Sequence, residues 1–111
     1  MAIAMRRGEI WQEIGKTRPV VVLQADPLMA SGLPTVLAAP LSTQFRQGAE
    51  PLRIAVPARG RLLADSWVCV EQLRALDATR FGEGPLAELT PQELQALEQT
   101  LVDILGIGAM D

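Results

Sequence analysis

"GKTRPVVVLQ", residues 15–24, combines the most apolar run of the chain with an arginine directly in front of it. The run from residue 20 to 23 has no polar side chain and predicts a strand over residues 19–24 that is buried on both faces. A residue before proline is held extended, so Arg18 should project from the strand end in a fixed direction. The guanidinium of Arg18 is therefore either solvated at the strand end or part of an anion site.

Several more short strands are predicted around this one. Residues 25–34, "ADPLMASGLP", have three helix- or strand-breaking residues and predict a loop. Pro40 cannot donate a ladder hydrogen bond, so we expect the sheet to open there and to leave Ser42 and Thr43 in a strand-end turn. Residues 76–84 predict a turn or a short helical piece. The predicted strands are residues 8–12, 19–24, 35–41, 52–56, 66–73 and 85–89.

The end of the chain predicts an amphipathic helix. Thr90 and Glu93 have the spacing of a capping box, with Pro91 at the first helical position and Gly106 as the stop. Apolar residues at positions 94, 97, 101, 104 and 105 share one face, and the acidic residues at 93, 98 and 103 should face solvent. The elements together predict a mainly β fold, a small antiparallel barrel-like sheet with this helix packed on it.

Composition narrows the possible chemistry. The 111 residues are enough for one small domain, and the absence of a long apolar stretch or signal peptide predicts a cytoplasmic protein without a membrane segment. Cys69, the single cysteine, is expected as a core thiol. With no histidine and one cysteine, we expect neither a metal site nor a cofactor. All ten basic residues lie within the first 80 positions, which allows a basic face in an acidic protein.

The order of the motifs resembles the MazF/PemK (Kid) toxin family, whose fold is shared with the CcdB toxins. The motifs are "RRGEIW" at 6–11, "RPVVVL" at 18–23, "PLSTQ" at 40–44 and "DSWVCVEQLRALDATRF" at 65–81, followed by the terminal helix. The resemblance covers residues 6–107 as a single domain, with 1–5 and 108–111 expected as flexible termini. It implies an SH3-like/CcdB-like barrel.

The resemblance also implies a function. The family's members are homodimeric, metal-independent endoribonuclease toxins of type II toxin–antitoxin systems, and the implied partners are single-stranded RNA and a MazE-like or other antitoxin. The expected catalytic residues are Arg18, Ser42, Thr43 and Glu71. Without a histidine base, we expect the nucleophile to be the substrate's own 2′-OH. The expected RNA-binding residues, from the motifs and from basic residues that flank turns, are Lys16, Gln44, Arg46, Arg53, Arg59, Arg61, Gln72 and Arg74.

Three departures from the family pattern stand out. The first loop, "QEIGKT" at 12–17, is short, Ser42 replaces the usual threonine, and Cys69 replaces an arginine on which the PemK/Kid branch bases its proton transfer. That arginine-based scheme therefore does not carry over to this chain.

Several alternatives stay open. Ser42 and Thr43 can cap their own turn, and Glu71 can form an ion pair with Arg74 or another arginine. Trp11 and Trp67 either stack on bases or pack in the core or a dimer interface. The alternative functions are a CcdB-like toxin that poisons gyrase and a non-catalytic RNA-binding barrel.

Overall fold

The computed structural model describes residues 4–15, 18–45 and 47–108. Its strands are β1 (Glu9–Glu13), β2 (Arg18–Val22), β3 (Thr35–Ser42), β4 (Arg53–Val56), β5 (Ser66–Cys69), β6 (Arg74–Asp77) and β7 (Ala87–Glu88). The helices are α1 (Asp26–Ala30) and α2 (Pro91–Leu105), and the 3-10 turns are Glu50–Leu52, Val70–Gln72 and Ala78–Arg80. None of the helices in the described residues is long and apolar enough to cross a membrane.

All seven strands form one curled antiparallel sheet in the order β4-β5-β3-β2-β1-β7, and β6 pairs with the first half of β3. Along one edge, β3 pairs with β6 as far as Ala38 and with β5 from Leu41 onward. Pro40 lies at this exchange of partners, where its missing N–H is tolerated because no ladder bond is required on that edge. The exchange leaves the end of β3 beside the first residue of β2.

The strand that the apolar run predicted is buried on both faces, as expected. Val21 and Leu23 belong to the core beneath α2, whereas Val20 and Val22 belong to a second core on the opposite face. The second core includes Met5, so packing extends one residue before the predicted domain start. The predicted flexible termini otherwise lie largely outside the described residues, except for Ala4 and Gly108.

The capping box of α2 is confirmed, since Glu93 N donates to Thr90 Oγ1 at 3.1 Å and Thr90 N donates to Glu93 Oε1 at 2.8 Å. Gly106 ends the helix in the left-handed conformation. Leu97 is fully buried under the sheet. Ile104 and Leu105 were expected on the same buried face and are exposed, because the last turn lies outside the part of α2 that packs on the core.

Three other predictions need correction. Residues 25–34 contain helix α1, where Pro27 occupies a first-turn position that proline suits and does not break the helix. The strand predicted for residues 66–73 ends at Cys69 and continues as the 3-10 turn Val70–Gln72. The acidic face of α2 is not fully solvated, because Arg59 pairs with Glu93 and Arg7 with Glu98.

Candidate functional site

A cavity of about 290 Å³ opens where β2, β3, β4 and β5 come together. Five of its lining residues were predicted from sequence as catalytic or RNA-binding, and two more residues complete the wall. The lining residues are Arg18, Ser42, Gln44, Arg53 and Gln72, together with Phe45 and Cys69. The exchange of strand partners at Pro40 creates this opening, so the fold brings together residues that lie up to 54 positions apart in the chain.

Arg18 has the most accessible guanidinium of the cavity. It is the first residue of β2, is half-buried and lies opposite Glu13 of β1 in the strand register. Within the described parts of the chain, its guanidinium makes no hydrogen bond or ion pair. The Arg18 side chain is therefore available for an anionic ligand.

Ser42 and Thr43 follow one another at the end of β3. The Ser42 hydroxyl accepts a hydrogen bond from Gln44 N at 3.1 Å, so it caps its own turn as one of the two interpretations predicted. The same hydroxyl donates a long hydrogen bond of 3.5 Å to Gln44 O and also lines the cavity, where a ligand oxygen could replace that acceptor. Thr43 is exposed and lines a second hollow of about 340 Å³, which shares Arg18, Ser42 and Gln44 with the first.

The groove continues beyond these two cavities. A third hollow of about 260 Å³ shares Pro19, Leu41 and Thr43 with the second. Arg61 lies at its far end, where Nη2 donates to Pro85 O at 2.8 Å and the rest of the side chain is exposed. The first hollow shares lining residues with the second and the second with the third, and the three are together called the groove.

Glu71 does not line this groove. Its Oε2 accepts a hydrogen bond from Arg53 Nη2 at 2.8 Å, and it is not among the residues that line the three hollows. The ion-pair alternative predicted for Glu71 is thus observed, with Arg53 as the partner instead of Arg74. Arg53 faces Cys69 across the β4–β5 pair and also contacts its Sγ through Nη1. Cys69 is buried, as expected for a core thiol, but it contributes to the cavity wall as well.

Two of the predicted RNA-binding arginines are engaged elsewhere. Arg59 binds Glu93 through both terminal nitrogens at 2.6 Å, and Nε donates to Pro57 O at 3.1 Å. The hydrogen bond between the two side chains raises the pKa of Arg59 and holds the pKa of Glu93 below its ordinary value. Arg74 points toward the buried carboxylate of Glu13, with Nη2 at 3.7 Å from Oε1. Lys16 and Arg46 lie outside the described residues.

The two tryptophans have different surroundings. Trp11 is buried in the second core and packs against Gly84, where a Cβ would lie 2.4 Å from the indole ring. Trp67 is half-buried, and its ring lies 4.8 Å from that of Phe45, centroid to centroid. Sequence reasoning missed Phe45, although its position directly after "PLSTQ" could have indicated an aromatic residue at the cavity rim.

Comparisons with known proteins agree with this fold. The model of the PemK-like, MazF-like toxins of type II toxin–antitoxin systems matches residues 6–105. Endoribonuclease MazF2 of Mycobacterium bovis and endoribonuclease MazF6 of Mycobacterium tuberculosis are each 37% identical to this chain over 97 residues, covering 75% of it and 85% of the relative.

Solved structures show the same fold. An endoribonuclease from a mycobacterial species covers 99% of both chains with a TM-score of 0.80 and 20% identity. A MazE–MazF structure from Deinococcus radiodurans covers 96% of this chain and 100% of that one, with a TM-score of 0.78 and 20% identity. The chain therefore belongs to the family of PemK-like, MazF-like toxins of type II toxin–antitoxin systems.

Proposed function

We propose that this protein is an endoribonuclease toxin that cleaves single-stranded RNA through attack by the substrate's own 2′-OH. The observation that carries the proposal is the unengaged guanidinium of Arg18 in the same cavity wall as the Ser42 hydroxyl. The relatives named as endoribonucleases favour this function over a gyrase poison or a non-catalytic RNA-binding barrel.

The chemistry follows from the residues that the chain has. The 2′ oxygen forms a bond to phosphorus, the bond from phosphorus to the 5′ oxygen breaks, the 2′ proton is lost and the departing 5′ oxygen gains a proton. The products are a 2′,3′-cyclic phosphate and a 5′-hydroxyl. The chain contains no histidine, so the protein contributes mainly orientation and charge stabilisation to this step.

Arg18 supplies the charge stabilisation in this scheme. Its fork of N–H donors suits the non-bridging oxygens, on which negative charge grows in the pentacoordinate transition state. Ser42 adds a hydroxyl donor from the neighbouring strand end, and Gln44 and Gln72 add amides that can position the RNA on either side. Removal of one such donor typically costs about 10²- to 10³-fold in kcat.

We also propose that an antitoxin holds the enzyme in check. Two of the similar solved structures are described as MazE–MazF of Deinococcus radiodurans and as a mycobacterial endoribonuclease in complex with its cognate antitoxin. Arg18 and Arg53 both line the first cavity, and an acidic segment of such a partner could cover these two cations.

The test uses purified protein and a long single-stranded transcript. Wild type should give discrete fragments, and Arg18→Ala should lower the cleavage rate by about 10²-fold or more. Arg18 has no partner to lose, so its truncation should change stability by less than about 0.5 kcal/mol. Arg6→Ala is the matched control, because it removes the same charge from an exposed residue that does not line the groove.

Each outcome of this test is decisive for one part of the proposal. Intact RNA with the wild-type protein would contradict the endoribonuclease function. Cleavage by folded Arg18→Ala at the wild-type rate would contradict the site while leaving the function in place.

A further inference from the structure

We propose that Arg53 is a second phosphate-contacting cation of the cavity and that Glu71 is the positioning residue that holds it. The inference rests on the proposed endoribonuclease function and assigns a part of its site that the "RP" and "PLSTQ" motifs do not include. It also gives Glu71 a role other than that of proton acceptor.

The first observation is an unsatisfied buried donor on an arginine that lines the cavity. The Arg53 side chain is 7% exposed, and its Nε is buried without a hydrogen-bond partner among the described residues. A buried N–H without an acceptor costs about 1–3 kcal/mol, so such a group is kept where a ligand or water satisfies it. Arg53 lines the same cavity as Arg18, so a phosphate bound by Arg18 would lie next to a second guanidinium.

Arg59 is an arginine whose three side-chain nitrogens all donate hydrogen bonds. Arg59 donates through Nε to a carbonyl and through both terminal nitrogens to Glu93. Arg53 is more deeply buried and makes fewer hydrogen bonds, because only its terminal nitrogens have partners, Cys69 Sγ and Glu71 Oε2. Arg74 also has buried nitrogens without a hydrogen-bond partner among the described residues, Nε and Nη2, but it does not line the cavity. The unpaired donor and the place in the cavity wall together distinguish Arg53 from both arginines.

The second observation is the way in which Arg53 is held. Its β4 backbone pairs with Cys69, and its two terminal nitrogens are fixed by residues on β5 and on the following 3-10 turn. A guanidinium held through both terminal nitrogens needs little reorganisation when charge develops on the phosphorane, which is the condition for strong transition-state stabilisation. We therefore expect Arg53 to act mainly on kcat and little on KM.

Glu71 contributes to this arrangement from outside the cavity. Its carboxylate is 28% exposed, lies 2.8 Å from Arg53 Nη2 and does not line the groove. A proton acceptor would have to reach the 2′-OH, whereas a positioning residue has only to accept from Arg53. Glutamine keeps an acceptor at this position, so Glu71→Gln separates the two roles.

The experiment measures single-turnover cleavage and KM on an oligonucleotide that contains a cut site mapped with wild type. Arg53→Ala should lower kcat about 10²-fold. Arg53→Lys, which keeps the charge and most of the packing, should lower it about 10-fold because the fork geometry is lost. Circular dichroism and thermal melting confirm the fold of each variant, and Arg53→Lys keeps the test valid if Arg53→Ala does not fold.

The Glu71 variants are read as a double-mutant cycle. Glu71→Ala should lower kcat roughly 10-fold, and Glu71→Gln, which keeps an acceptor for Arg53, should recover part of that loss with the pH–rate profile of wild type. In the Arg53→Ala background, Glu71→Ala should have no further effect, since it acts through Arg53. Folded Arg53→Ala and Arg53→Lys at wild-type kcat would overturn the inference while the Arg18→Ala result still tests the proposed function. Glu71→Gln and Glu71→Ala that lose the same amount of kcat and both lack one limb of the wild-type pH–rate profile would also overturn the inference, because Glu71 would then act as a proton acceptor.

Discussion

Replacing Arg59 with alanine should weaken the fold and leave RNA cleavage unchanged. Arg59 joins the loop after β4 to the first turn of α2 through two hydrogen bonds of 2.6 Å to Glu93. The two side chains are 25% and 17% exposed, so the pair lies between an exposed ion pair, worth about 0.2–1 kcal/mol, and a buried one, whose disruption costs about 3–5 kcal/mol. We expect a loss of about 2 kcal/mol, or about 8 °C in Tm for a chain of this length.

The pH dependence of this contribution follows from the lowered pKa of Glu93, which the hydrogen bond from Arg59 causes. The folded-state pKa lies below the ordinary value of 4.5, so the pair stabilises the fold fully above pH 4.5 and loses this effect as the pH falls through the folded-state pKa. The difference in stability between wild type and Arg59→Ala should therefore be constant near pH 7 and shrink in acid.

The assay is urea unfolding of a double-mutant cycle at fixed protein concentration, with cleavage measured on the same preparations. Glu93→Gln is the suitable second variant, because it removes the charge but keeps a capping-box side chain. Arg59→Ala that is as stable as wild type, or a coupling energy that does not change between neutral and acidic pH, would refute the reasoning. Strongly reduced cleavage by a folded Arg59→Ala protein would instead indicate that Arg59 binds RNA, as the sequence predicted.

Three further predictions concern packing, metal dependence and assembly. Gly84→Ala should destabilise the fold by about 1–3 kcal/mol in a thermal melt, since its Cβ would lie 2.4 Å from buried Trp11. Gly82→Ala is the milder control, because its closest contact is the exposed Ile14 side chain at 3.2 Å. Equal melting temperatures of the two variants would contradict this prediction. Cleavage should persist in excess EDTA, because the described residues contain no cluster of three or more carboxylate, histidine or cysteine side chains that could hold a metal ion. Loss of activity that Mg²⁺ restores would contradict the proposed chemistry. The protein should sediment as a homodimer at micromolar concentration, because large apolar side chains such as Leu28, Leu33 and Leu63 remain exposed on the single chain; a monomer would contradict this.

The parts of the fold that sequence predicted well depend on local patterns. The apolar run of β2 is buried on both faces, and the capping box of α2 forms as its spacing indicated, because each is decided within a few residues. The helix α1 was missed for a local reason too, since Pro27 was taken as a breaker although proline suits a first turn.

The identity of the available arginines could not be predicted in the same way. Arg53 and Arg59 look alike in sequence, as basic residues beside turns, but their carboxylate partners lie 18 and 34 residues further along the chain. Which arginine keeps a donor for a ligand depends on these long-range pairs, and a single sequence gives no information on them. The same holds for Cys69, where the sequence shows a missing arginine but not that Arg53 faces this position from the next strand.

The central claim is tested most directly by a single 2′-deoxy substitution in a mapped substrate. The oligonucleotide carries the cut site of the wild-type protein, and only the ribose on the 5′ side of the scissile phosphate lacks its hydroxyl. The proposed chemistry predicts that cleavage at this bond stops, while the unmodified oligonucleotide yields a 2′,3′-cyclic phosphate and a 5′-hydroxyl. Cleavage of the substituted bond at the normal rate would contradict attack by the 2′-OH.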